Sequence, residues 1–309
     1  DEGSGSSLVA FAEIYSIEQN LIATFRELSN PHFHPDESEQ LIENFCPNLN
    51  DSQRVAVSNA LEYGISVISG SGGTGKTYTV SSLVTIAEEC GLDVTLCAPT
   101  GKAARRLEEV TNHKAVTMHR LLGYDGRQFC YRENGGISAD ILIVDEFSMA
   151  DLFLVHHLFK ATNLSSTAII LVGDHNQLPP VGPGNVLRDL ITVRPVPVTV
   201  LDQVLRQAGE LKRNCSALLT GKVNPTSLVT PGEPLEWCVM NDLQDPKAVL
   251  KYIVSTFKFG LAPMGYDLLR DVQVLTPTHK GLLGTVSLNR ILQQLLQRQL
   301  FGVDVEHPK

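Results

Sequence analysis

The chain has 309 residues, 43% hydrophobic and 19% charged, with a net charge of −9. Such a length supports a large core and about two domains, and such a composition excludes a disordered chain. No apolar run approaches the ~18 residues of a membrane helix, so no membrane partner is expected. The acidic, small-residue start Asp1-Glu2-Gly3-Ser4-Gly5-Ser6-Ser7 reads as a linker and not as a secretory signal.

Residues 8–28 carry apolar side chains at helical spacing, and Pro31 and Pro35 end that pattern. Residues 1–50 hold nine acids and one base, which leaves a net charge of only −1 for the rest. Basic grooves for a polyanion therefore remain open beyond residue 50. Asn50 or Asp51 is placed to cap a second helix running to Tyr63. From there apolar strands at 65–69, 94–98, 141–144, 168–172 and 196–201 alternate with helices at 76–89, 101–110, 151–161 and 185–191. That alternation predicts an α/β fold, a mainly parallel sheet covered on both faces. Gly126, Gly135 and Gly136 flank a short strand candidate at 128–132, which predicts an inserted β-hairpin over 123–138. A second α/β region starts near Leu201, with a helix at 246–257, a strand at 272–276 and a helix at 285–300. The six cysteines form no CxxC pair and read as free thiols of a reducing, cytoplasmic compartment. No His/Cys spacing supports zinc.

Three segments carry chemistry. Gly70-Ser71-Gly72-Gly73-Thr74-Gly75-Lys76-Thr77 follows a strand, opens a helix and fits GxxxxGK[ST] in full. Its backbone amides converge on phosphates, Lys76 reaches the β/γ-phosphates, and Thr77 helps hold Mg²⁺. ATP and Mg²⁺ are the expected cofactors. Residues 141–144 form a buried strand ending in Asp145 and Glu146. Burying such a charge is costly without a partner, which suits Mg²⁺ at Asp145, with Glu146 orienting or deprotonating water. Gly173-Asp174-His175-Asn176-Gln177-Leu178-Pro179-Pro180-Val181 follows another buried strand. Gln177 is placed to contact the γ-phosphate or its attacking water, and a stiff Pro179-Pro180 turn follows. A Pro-rich surface loop is the plainer alternative for 178–181.

Together these segments resemble the superfamily 1 helicases, and within them the RecD-like group (exodeoxyribonuclease V alpha subunit type), over about 49–297. Asn50-Asp51-Ser52-Gln53 is similar to the Q motif, in which Gln53 would read the adenine edge. Ala98-Pro99-Thr100-Gly101-Lys102-Ala103-Ala104 resembles motif Ia, and Thr117-Met118-His119-Arg120-Leu121-Leu122 the next DNA-contacting motif. Asp145-Glu146 corresponds to motif II and 173–181 to motif III. Residues 201–207 resemble motif IV, where Arg206 would be an arginine finger. Val274-Leu275-Thr276-Pro277-Thr278-His279-Lys280-Gly281 is similar to a strand-touching segment, which makes Thr276, Thr278 and His279 candidates.

The resemblance implies a P-loop NTPase of RecA-like type. It places a helical lead-in at 1–40, a first motor domain at 41–197 with the hairpin inserted at 122–138, and part of a second RecA-like domain at 198–309. It implies ATP-driven movement on single-stranded DNA, 5′-to-3′, beside other repair or recombination subunits. Thr100, Lys102, Thr117 and His119, with Pro179 and Pro180, would face the strand, since hydroxyls and one lysine suit phosphate contacts. A helix cap or a solvated side chain is the alternative for each polar residue. The hairpin is either a wedge at a duplex fork or a plain surface feature. Aromatic content is 6% and no stacking ladder is evident. No match to motifs V and VI follows Gln297, so the chain is expected to be a fragment of a longer motor or a protein that has lost those parts. A nucleotide-binding subunit without catalysis, or a P-loop kinase, remains the alternative to a helicase.

Overall fold

The structure is a computed structural model that describes residues 11–27, 35–131, 133, 136–203, 209–226, 237–240 and 242–301. It divides into two compact units, Asp1–Ala208 and Gly209–Lys309.

The first unit opens with α1 (Ala12–Glu27), α2 (Pro35–Phe45) and α3 (Asp51–Glu62). Asn50 starts α3 through a capping box: its side chain accepts from the Gln53 amide, and Gln53 returns a bond to the Asn50 amide. Then come β1 (Ile65–Gly70), α4 (Lys76–Glu89), β2 (Val94–Ala98), α5 (Gly101–Thr111), β3 (Ala115–Thr117), α6 (Met118–Leu121) and β4 (Ile141–Val144). After a 3₁₀ turn at Phe147–Met149 follow α7 (Leu152–Ala161), β5 (Ala168–Gly173), α8 (Val186–Val193) and β6 (Val198–Leu201).

The six strands form one sheet in the order β3-β2-β4-β5-β1-β6. Every pairing is parallel. Its two faces fill separate cores. Leu142 and Val144 of β4, with Ile169 and Leu171 of β5, pack against α1, α7 and α8. Ile141, Ile143, Ile170 and Val172 on the opposite face pack against α3 and α4. This is the period-2 alternation of a strand buried on both sides, which explains why the sequence shows continuous apolar runs there.

Three expectations need correction. Strand β6 begins at Val198 and not at 196, because Pro195 and Pro197 cannot donate to the ladder, although the Pro197 carbonyl accepts from the Val67 amide at 2.9 Å. It pairs with β1, so the first unit runs to Ala208, past the expected division at 197/198. The hairpin over 123–138 reduces to one antiparallel bridge, Tyr124 with Phe129. The Asp125 carboxylate accepts from the Arg127 and Gln128 amides at 2.8 and 2.9 Å and folds the turn too tightly for a longer ladder. Arg132, Asn134 and Gly135 lie outside the described residues.

The second unit carries α9 (Gly209–Leu219), α10 (Pro246–Ser255), a π-helical turn at Thr256–Leu261 and α11 (Thr285–Phe301). The strand expected at 272–276 is not formed, and no strand is present among the described residues of this unit. Val272 and Val274 instead pack on a small core of Phe257, Leu268 and Leu295. A strand needs a neighbour for its amides, and the described residues supply none.

Candidate nucleotide site and adjoining groove

The strand order sets the site. With β5 between β4 and β1, the carboxyl ends of all three open side by side, and each is followed by one of the three chemical segments.

After β1 the chain turns through Gly73 (φ 84°) and Gly75 (φ 92°) into α4. A side chain at either glycine would be strained in that left-handed backbone. At Gly70 a Cβ would lie 2.9 Å from the Leu201 carbonyl and against the Thr74 hydroxyl. Thr74 is buried, and its hydroxyl donates to the Ser71 carbonyl at 2.9 Å, which ties the loop to itself. Lys76 Nζ donates to the Gly70 carbonyl and, at 3.1 Å, to that of Ser71. Thr77 is half-buried in the first turn of α4. The first amides of that helix have no intrahelical acceptor, and together with the helix dipole they form an anion cradle.

Beyond β4, the Asp145 amide continues the ladder to the Cys97 carbonyl at 2.9 Å. Its carboxylate accepts from the Glu146 amide at 2.9 Å. Burial pushes the Asp145 carboxyl above its ordinary range; the Glu146 amide bond opposes that, the Glu146 charge reinforces it, and the Lys76 and Arg106 charges oppose it. The Cys97 thiol is pushed up by its own burial and by Asp145 beside it. Glu146 sits at φ 51°, in a left-handed conformation that a non-glycine residue rarely holds without tertiary support. The turn swings the Glu146 side chain toward the β5 loop, where Gln177 Nε2 donates to its Oε2 at 3.4 Å.

That β5 loop makes a different contact at each of three successive residues. His175 Nδ1 shares a 2.8 Å hydrogen bond with Ser69 Oγ. Asn176 Nδ2 donates to Ser71 Oγ at 3.0 Å, and Gln177 reaches Glu146. Asp174, buried, fixes the turn by accepting from the Asn176 amide at 2.9 Å. At Gly173 a Cβ would meet Leu187 Cδ2 at 2.7 Å and the Ser148 amide at 3.1 Å, so only glycine lets the strand end this close to α8. Sequence reasoning picked Gln177 from this loop and missed Asn176 and His175; the signal was their position in the same motif.

The arrangement suits a magnesium nucleotide. A half-buried carboxylate of raised pKa stands beside a lysine-bearing anion cradle that includes Thr77. Among the described residues no cluster of three or more His, Cys, Asp or Glu side chains is placed to hold a metal alone. Mg²⁺ commonly takes one or two carboxylates and completes its shell with phosphate oxygens and water. Gln53 is 2% exposed; its Oε1 accepts from the Asn50 amide at 3.1 Å, while its buried Nε2 has no hydrogen-bond partner. Arg206 lies outside the described residues.

A groove of about 1000 Å³ adjoins this site, and Thr100, His119, Pro179 and Pro180 line it together with Asn176 and Gln177. Four of the expected strand-facing residues thus meet in one place, one loop from the acids. Thr100 and Thr117 both cap helices, their hydroxyl oxygens accepting from the Ala103 and Arg120 amides at 3.2 Å, which leaves each O–H free to donate. Thr117 and Lys102 do not line the groove. Tyr124, Phe129 and Phe153 do, although the sequence shows no ladder, because they are scattered along the chain and only folding collects them. Thr276, Thr278 and His279 belong to the second unit and organise the start of α11. Thr276 Oγ1 donates to the Leu283 carbonyl at 2.7 Å, the Thr278 carbonyl accepts from the Thr285 amide at 3.0 Å, and His279 Nδ1 pairs with Thr285 Oγ1 at 3.0 Å.

Comparison with known proteins finds the following similarities. A family model described as an AAA domain matches residues 48–229. The ATP-dependent RecD2 DNA helicase of Deinococcus radiodurans is 35% identical over 268 residues, covering 83% of this chain and 34% of that protein. The RecBCD enzyme subunit RecD of Haemophilus influenzae is 35% identical over 210 residues, 59% of this chain and 33% of its own. The chain therefore spans about a third of the length of these relatives. Pif1 helicase from Candida albicans, a solved structure, shares 24% identity over 57% of this chain and 45% of that one, with a TM-score of 0.42.

Proposed function

This chain belongs to the AAA domain family, and on that premise we propose that it is the ATP-hydrolysing motor core of a cytoplasmic DNA helicase or translocase. One observation carries the reading. The β5 loop touches the phosphate loop through Asn176 and the motif II acid through Gln177, and the same two residues line the groove. A kinase needs no such shared wall between its nucleotide loop and a long open groove.

Bound Mg-ATP supplies the phosphoryl group and the cation that neutralises its charge. Lys76 and the first amides of α4 would hold the phosphates, and Thr77 and Asp145 would hold the metal. Gln53 offers its unpartnered Nε2 to the adenine edge. Gln177 binds Glu146 Oε2, which leaves Oε1 to take the proton of the attacking water. Arg206 supplies a second cation to the transition state, a role worth ~10³–10⁵ in rate where an arginine finger acts. Arg206→Ala is expected to slow hydrolysis with nucleotide affinity nearly intact; equal loss of binding rules the finger out.

The test is ATP hydrolysis with and without single-stranded DNA. We expect DNA to raise turnover, and Lys76→Ala to lower kcat by at least about 10²-fold, as loss of one preorganised charge typically does. Turnover that ignores DNA, with phosphate passed to a small acceptor, would instead mark a kinase. Unwinding of 5′-tailed but not 3′-tailed duplexes is the expected polarity, and the partners are other repair or recombination subunits.

A further inference from the structure

Resting on the DNA-motor reading, we infer that the groove beside the nucleotide site binds unpaired nucleobases by stacking on Tyr124, rather than holding the strand by its phosphates alone.

Charge argues first. Apart from His119, the groove lining carries one cation, Arg127, and one carboxylate, Asp151. Those two cancel, so a phosphate backbone gains little net attraction along this wall. What the wall does offer is exposed apolar surface. Tyr124 is 43% exposed and Leu178 86% exposed, so both leave apolar surface open to a ligand in the groove.

Ring geometry argues second. The Tyr124 and Phe129 ring centroids are 5.0 Å apart, and His119 lies 5.4 Å from Tyr124 and 5.8 Å from Phe129. These are spacings at which aromatic rings support one another. Phe129 is backed in turn by His157 of α7 at 4.4 Å, and His157 Nδ1 pairs with the Tyr131 hydroxyl at 2.8 Å. The Asp125 carboxylate locks the turn between the two main rings through the Arg127 and Gln128 amides. The Tyr124 ring is therefore held before any ligand arrives, which lowers the ordering cost of binding.

The occupant follows from the chemistry. Every base has a π-face, so stacking tolerates any sequence. A duplex hides those faces in its own stack, whereas a single strand offers them. Arg127 and the free Thr100 O–H remain for the phosphates between bases.

The experiment compares a dT 15-mer with an abasic 15-mer of equal phosphate count, bound to the full chain and to Tyr124→Ala and Tyr124→Trp. Stacking predicts that the unmodified chain prefers dT by roughly 5- to 100-fold, the range of a single base–aromatic contact. Tyr124→Ala should narrow that preference and leave the salt slope of binding unchanged, while Tyr124→Trp should preserve it. Because the preference is a ratio within one protein, partial unfolding of a variant cancels. Equal affinity for the two strands by the unmodified chain, or a preference untouched by Tyr124→Ala, overturns stacking while leaving the motor intact. Failure of the unmodified chain to bind either strand at low salt overturns the DNA reading itself, and stacking with it.

Discussion

At Asp145 the proposed function and the stability of the fold oppose each other. Its folded pKa is raised chiefly by burial. Above its ordinary value of 3.8 the folded state therefore binds more protons than the unfolded chain. Stability falls as pH rises from there through the raised folded pKa, and the full penalty is present above it. Asp145→Asn should then raise the melting temperature of the nucleotide-free chain at pH 7 while abolishing ATP hydrolysis; 1 kcal/mol corresponds to about 2–4 °C for a unit this size. An unchanged or lower melting temperature, read by calorimetry, would show that the Lys76 and Arg106 charges outweigh burial. At this scale the sequence was informative where a motif is contiguous. Lys76, Thr77, Asp145 and Glu146 were all legible, because each stands at a fixed offset from a strand end. The Tyr124–Phe129–His157 stack was not, because its members are spread over 33 positions of sequence and belong to no shared periodicity.

At the scale of elements, long apolar strands and capped helices were legible: β2, β4 and α4 have the bounds their patterns predict. The short α6 and the three-residue β3 offer too few residues for any period to emerge. Helix α2 opens on Pro35, read in the sequence only as an end to α1, and its acid-rich surface hides a buried Ile42. The strand expected at 272–276 shows the converse failure, since composition can favour a strand but cannot supply its neighbour. Asn50→Ala removes the capping box of α3 and should cost roughly 0.5–2 kcal/mol, measured by urea unfolding. An unchanged midpoint would mean that packing against β1 alone holds the helix. On α7, burial holds the His156 and His157 pKa values below 6.5, with the Lys160 charge adding to the effect. Below pH 6.5 the unfolded chain takes up protons that the folded chain refuses, so stability should fall as pH drops through that value and on through the lowered folded pKa values. Replacing both histidines with glutamine should flatten this acid-side slope in melting temperature; a slope that persists would assign it to other groups.

The whole molecule consists of a complete six-stranded unit, Asp1–Ala208, and a smaller helical one. Among the described residues, the first holds two of three hydrophobic cores and all the phosphate-loop, acid and groove residues. Residues 1–208 expressed alone should therefore unfold in one cooperative transition, with coincident circular-dichroism and fluorescence midpoints. Separate midpoints would show that the smaller unit is needed to complete the fold. Among the described residues no helix is long and apolar enough to cross a membrane. Binding to single strands should weaken with salt at a log–log slope of about −0.7 per neutralised phosphate.

The loop after β5 would link the two proposed sites. Its grip on the nucleotide side consists of three side-chain hydrogen bonds, to Ser69, Ser71 and Glu146, made by exposed residues. Each is worth a net ~0.5–1.5 kcal/mol. Together they amount to about 1.5–4.5 kcal/mol, which overlaps the 1–3 kcal/mol typical of coupling free energies between linked sites. A latch of that strength is firm enough to favour one loop position at rest. It is also weak enough for a phosphate entering at Ser71, or a strand pressing on Pro179 and Pro180, to release it. By reciprocity, whatever the nucleotide does to the strand's affinity, the strand must do equally to the nucleotide's.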